Sequence, residues 1–107
     1  MCPLSTCRWA ALAAVGAILA ARAAAETQHR SIHNMSFGEP SISAHVGDTI
    51  EWTNDDFVAH TVTARDGSFD TTVFPGKTGR TVLTKPGKTT FFCRFHPNMT
   101  GTIDVTP

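Results

Sequence analysis

The 107-residue chain predicts an all-β fold, a sandwich of two sheets built from about eight short strands. Three observations carry that expectation. Short apolar runs recur between pairs of turn-forming residues, side chains alternate with period two inside several runs, and no convincing helical period is present from Glu26 onward.

Taken in order, the first expected strand covers residues 31–37 and the second 41–46, where Ile42, Ala44 and Val46 share a face. Gly47-Asp48 turns the chain into 49–53, with Ile50 and Trp52 on one side. His60 to Ala64 forms the fourth strand. Asp66-Gly67 leads to 71–74, Pro75-Gly76 to 80–84, and Pro86-Gly87 to 89–93. Residues 102–105 close the fold, with Ile103 and Val105 on the same face. Phe91 and Cys93 share parity, so a buried phenyl ring at 91 brings the sulfur at 93 inward beside it. Gly101 is expected to serve the backbone geometry at the start of the last strand. His29 falls in an N-terminus expected to fray, while His33 and His45 are expected to be exposed strand residues.

Residues 1–25 read as a secretory signal and 26–107 as one domain. Arg8 gives a positive start, residues 9–21 an apolar stretch, and Ala23-Ala24-Ala25 a small-residue cleavage site. The apolar stretch is short for a membrane span, and Arg22 interrupts it. Cys2 and Cys7 precede that stretch, which argues against a lipid-anchored form. The expected product is an exported, periplasmic protein with no membrane attachment, working as a monomer.

Removing the signal also removes Cys2 and Cys7. Cys93 is then a single thiol in an oxidising compartment, with no partner for an intrachain disulfide, and metal ligation is a use that protects it. The whole chain balances nine cations against nine carboxylates. Losing Arg8 and Arg22 leaves seven cations and a net charge near −2. Nucleic acid, which calls for a basic stripe, is excluded by that balance, whereas protein partners are not.

The chemistry is concentrated in Cys93-Arg94-Phe95-His96-Pro97-Asn98-Met99 and in the upstream run from Asp55 to Val62. Together they supply a thiolate, a thioether and two imidazoles, from Cys93, Met99, His96 and His60. Thiolate and thioether are soft donors that favour copper. Two imidazoles, one thiolate and a weak axial thioether form the ligand set of a type 1 blue-copper centre. Each residue alone reads as core or surface filling. Their joint spacing is what points to one ion held by His60, Cys93, His96 and Met99. Cys93 and His96 also suggest a nucleophile and base, but no oxyanion-hole motif or third orienting group accompanies them, so the chain is not read as an enzyme.

The strand Gly47-Asp48-Thr49-Ile50-Glu51-Trp52-Thr53-Asn54, the element His60-Thr61-Val62 and the ending from Phe91 to Gly101 resemble cupredoxins, most closely the amicyanin branch of the plastocyanin-like proteins. Two residues separate the loop His from Met, as in amicyanins. The resemblance covers residues 32–106. It implies a Greek-key β-sandwich with copper at one end, single-electron transfer, and redox protein partners, with an amine-oxidising dehydrogenase as donor and a c-type cytochrome as acceptor. It also implies that Asn54 and Thr61 tie the ligand loops together. The chain departs from the branch in having Ala59 where amicyanins carry Pro, Arg94 and Phe95 in the ligand loop, and a shortened N-terminal extension.

Two functions therefore compete. One is a carrier that moves one electron at a time between Cu(I) and Cu(II). The other is a copper-binding chaperone or sensor module, for which Met35 and His33 are the extra candidate donors. His96 sits on a loop between Phe95 and Pro97, so its imidazole edge is expected to be the ligand nearest solvent. Phe95 and Pro97 would ring that electron port, joined by Phe57 or Met35. The competing expectation turns Phe95 inward as core.

Overall fold

The computed structural model describes residues 24–107 except Pro40. The signal read at residues 1–25 therefore lies, apart from Ala24 and Ala25, outside the described residues. No described helix is long and apolar enough to cross a membrane.

Eight strands follow in order: β1 (Thr27–Ile32), β2 (Ser41–His45), β3 (Thr49–Asn54), β4 (His60–Ala64), β5 (Asp70–Val73), β6 (Thr78–Val82), β7 (Gly87–Phe92) and β8 (Thr100–Thr106). They form a three-stranded sheet, β1-β3-β6, and a five-stranded sheet, β2-β8-β7-β4-β5. The chain changes sheet between β1 and β2 and again between β2 and β3. As a result β1 runs parallel to β3, and β2 parallel to β8. This is the two-sheet sandwich that the turn spacing predicts, with the Greek-key architecture that the resemblance implies.

Alternation decides what the sheets bury. Ile50 and Trp52 point inward from β3, Ile42 and Ala44 from β2, and Ile103 and Val105 from β8, all almost fully buried. At the centre, Phe37, Trp52 and Phe91 meet edge to face with centroids 5.0–5.7 Å apart. Such pairs contribute about 0.5–1.5 kcal/mol beyond simple burial. The buried Trp52 indole donates to Thr81 Oγ1 at 3.2 Å, so the ring brings no unsatisfied donor into the core.

Two expectations are corrected. The first strand begins at Thr27, not residue 31, and His29 is not frayed. It pairs with Glu51 across β1 and β3, its Nδ1 lying 3.3 Å from a Glu51 carboxylate oxygen. Residues 33–36 instead make a tight turn closed by reciprocal His33–Ser36 backbone hydrogen bonds, with Asn34 and Met35 at φ 51° and 60°. Gly101 is also needed for a different reason. Its φ is not positive; a Cβ there would press on Cζ, Cε1 and Cε2 of Phe91, the last two only 2.8 and 2.9 Å away.

Candidate metal centre

β7 ends at Phe92 and leads Cys93 into the interior, where its side chain is fully buried with Phe91. The chain then closes on itself. His96 N–H donates to the Cys93 carbonyl, Met99 N–H to the His96 carbonyl, and Cys93 N–H to the Met99 carbonyl, at 3.2, 2.9 and 3.1 Å. Three backbone bonds in seven residues leave this loop little freedom to relax. β4 starts at His60, which is wholly buried on the neighbouring strand.

Three donor atoms converge as a result. Nδ1 of His60 and Nδ1 of His96 are 3.2 Å apart, and Cys93 Sγ lies 3.8 Å from the first and 3.5 Å from the second. All three fall within 4.8 Å of one another. That spacing suits atoms sharing one ion at about 2.0–2.3 Å, the range of nitrogen and thiolate bonds to a transition metal. Met99 is buried and lines, with His96, Pro97, Asn98 and Met35, a cleft of about 330 Å³. Three of the four sequence-predicted donors are thus brought together, and Met99 shares a cleft with one of them, His96.

The residues around the donors prepare them for a metal. Thr61 N–H points at Cys93 Sγ from 3.3 Å and fixes the position of the sulfur. Thr61 Oγ1 also accepts the Arg94 N–H at 2.8 Å, so one threonine holds both the sulfur and the residue after it. Asn54 lies elsewhere in the framework. Fully buried, it donates from Nδ2 to the Val58 and Val73 carbonyls at 2.8 and 3.0 Å and accepts the Asp56 N–H at 2.9 Å. It braces the loop before His60 against β5 and has no described bond to the Cys93 loop.

Asp56 has no assigned role in the sequence reading, yet it is central. One carboxylate oxygen lies 2.8 Å from His60 Nε2, and the two oxygens accept the Asn34 and Met35 N–H groups at 2.8 and 3.0 Å. With Nε2 holding its proton toward Asp56, the lone pair of His60 is left at Nδ1, which faces Cys93 and His96. Burial pushes the Asp56 carboxyl up. The Met35 N–H, His60 and the Asn34 N–H together outweigh that and hold it below the usual range. A signal was available in the sequence: an acid four residues before a ligand-type His, on the same short loop.

The half-buried His96 shares its cleft with Met35, Pro97, Asn98 and Met99. Phe95 is 52% exposed, so it is not core, and its ring carries the Arg94 guanidinium 5.6 Å from its centroid. Arg94 also reaches Asp70 Oδ1 at 3.3 Å. Pro97 is exposed, and Met35, 43% exposed, shares the cleft with His96. Phe57 is fully exposed and borders a different cleft, lined also by Asn54, Pro75 and Gly76.

A family model described as the cupredoxin-like domain matches residues 8–105. The methylamine utilization protein MauL of Methylorubrum extorquens is 34% identical over 87 residues, which span 78% of this chain and 76% of that protein. Amicyanin from Paracoccus versutus is similar in structure, with a TM-score of 0.65 at 21% identity over 74% of this chain and 80% of the other. A Cu(I) form of an amicyanin variant gives a TM-score of 0.67 at 22% identity, covering 74% and 81%. At these identities the structural likenesses speak for the fold.

Proposed function

The chain belongs to the cupredoxin-like domain family, and on that premise we propose that it is an exported blue copper protein carrying single electrons between redox proteins. His60, Cys93, His96 and Met99 would hold one type 1 copper ion. The observation that carries this reading is the convergence of His60 Nδ1, Cys93 Sγ and His96 Nδ1, with the sulfur already met by the Thr61 N–H. Copper bound there supplies a Cu(I)/Cu(II) couple.

The chain's own part is to keep the donors fixed. Backbone bonds across Cys93–Met99, the Asp56 contact and the Thr61 bridge each restrain a different donor. A fixed donor set suits both oxidation states and keeps reorganisation small. A delivery or sensing module needs donors that can be exchanged, whereas Cys93 and His60 are fully buried. That burial favours the carrier.

The partners inferred are an amine-oxidising dehydrogenase as donor and a c-type cytochrome as acceptor. Support comes from the amicyanin-like loop spacing and from a relative whose name places it in methylamine utilization. Export to the periplasm is inferred from the signal read at residues 1–25, and the mature chain is proposed to act as a monomer.

The visible spectrum of the copper-loaded protein tests the reading. An intense thiolate-to-copper band is expected, lost in Cys93→Ser while far-ultraviolet circular dichroism shows the sandwich retained. A colourless, labile complex in the unaltered protein would favour copper handling, and a variant that stays blue would remove Cys93 from the site.

A further inference from the structure

We propose that hydrolysis of the Ala25–Glu26 bond places a new α-ammonium, that of Glu26, directly on the buried carboxylate of Asp48, so that signal removal completes an ion pair at the start of β1. The Glu26 nitrogen already donates to Asp48 Oδ1 at 2.9 Å. Asp48 is only 5% exposed; its other oxygen accepts the His45 N–H at 2.9 Å, and the His45 ring, largely in solvent, stands 3.9 Å away. The Glu26 carbonyl accepts the Thr49 N–H, also at 2.9 Å. Glu26 is therefore held on both sides, and its nitrogen is already directed at Asp48.

The cut falls before the first rung of the β1–β3 ladder. Ala24, Ala25 and Glu26 are all exposed, and Ala23-Ala24-Ala25 is the pattern that peptidases of the secretory route accept. The first register pair of β1 with β3 is Thr27 with Thr49, so every rung of that ladder lies after the cut. In the hydrolysis, water gives its hydroxyl to the Ala25 carbonyl carbon and a hydrogen to the Glu26 nitrogen as the C–N bond breaks. The released amine takes up a further proton at neutral pH. A neutral amide donor thereby becomes a charged one, and charge-assisted hydrogen bonds are roughly twice as strong as neutral ones.

The benefit falls on an edge strand. Among the described residues β1 has a neighbouring strand on one side only, and its far end feeds the turn whose Asn34 and Met35 amides hold Asp56. Anchoring residue 26 steadies that element from its open end.

Expression of the full precursor in an exporting host, followed by intact mass and N-terminal sequencing, gives the first test. A mature chain starting at Glu26 is expected, and any other start overturns the proposal. The second test compares the mature protein with its Nα-acetylated form, in the unaltered sequence and in Asp48→Asn. Acetylation should lower the folding equilibrium constant about fivefold in the unaltered protein and leave Asp48→Asn unaffected, because it turns the charged donor back into a neutral amide. Equal losses in both backgrounds would place the ammonium elsewhere. Should Asp48→Asn fail to fold, the unaltered pair alone decides, because acetylation without loss overturns the pairing.

Discussion

Nε2 of His60 lies 2.8 Å from a carboxylate oxygen of Asp56, and through that contact a turn at residues 33–36 is tied to the candidate metal centre. The same carboxylate satisfies the amides of Asn34 and Met35, both held at positive φ. Non-glycine residues adopt that conformation at a cost of order 1 kcal/mol or more, and the two amide bonds help to offset it. One acid therefore does three things: it sets the His60 tautomer, orients the ring and shapes the loop that brings Met35 to the cleft.

Asp56→Ala should accordingly weaken copper binding by about 10–100-fold, the usual effect of losing a partner to a ligating imidazole. It should also destabilise the protein by about 1–3 kcal/mol, since two backbone amides and an imidazole N–H lose their acceptor. Competition with a chelator of known affinity measures the first, and urea unfolding of the metal-free protein the second. Unchanged copper affinity would show that His60 is oriented without Asp56.

Gly101 offers a test of packing close to the centre. A methyl group there meets the Phe91 ring, which sits between Phe37 and Trp52 and two residues before Cys93. Gly101→Ala should cost about 1–3 kcal/mol by overpacking. Urea unfolding reads the loss, and the near-ultraviolet signal of Trp52 should change with it. A neutral substitution would mean that the Phe91 ring moves aside freely.

Much of this architecture is legible in the chain, and the exceptions have physical causes. β2, β3 and β8 show themselves because each presents one apolar face, as Ile42 with Ala44, Ile50 with Trp52, and Ile103 with Val105. β1 does not. Gln28 and Arg30 occupy its half-buried positions and only Ile32 is fully buried, so an edge strand held by backbone bonds to β3 leaves almost no hydrophobic period. The turn at 33–36 is equally hidden, because Met35 at positive φ contradicts the usual turn chemistry. Among the site residues, the four soft or imidazole donors are conspicuous by type and spacing. Asp56 is not, since an acid in a polar loop looks like any solvated charge until its position beneath His60 is known.

Acid should remove part of the stability through Asp66, at the turn between β4 and β5. Hydrogen bonds from the Ser68 side chain and the Ser68 N–H, opposed by burial and aided by Lys85, hold its carboxyl down from 3.8 to about 2. A carboxyl lowered on folding contributes stability above its unfolded value and loses it as pH falls through the folded one. The contribution is thus complete above about pH 5 and lost progressively as pH falls through 3.8 toward and below about 2. Asp66→Asn should lower the urea midpoint at about pH 6, and the difference from the unaltered protein should close as pH approaches 2. A difference that stays constant across that range would mean the carboxylate charge at Asp66 contributes nothing.

Electrons are expected to leave beside Phe95. Its ring is half in solvent, beside a half-buried His96 whose cleft is shared by Met35 and Pro97, while His60 and Cys93 are sealed inside. Of the four candidate donors, His96 is therefore the one through which an electron has the shortest path out, and an apolar surround can be desolvated quickly by a transient partner. Phe95→Glu places a charge in that surround without touching a donor atom. Because the ring is not core, the variant should stay folded and blue, yet its self-exchange rate, read from nuclear magnetic resonance line broadening in mixtures of the two oxidation states, should fall markedly. Like charges then face each other across the contact, so added salt should restore part of the rate by screening them. Loss of copper or of folding with no selective effect on exchange would mean that Phe95 supports the loop and that the exit lies on another face.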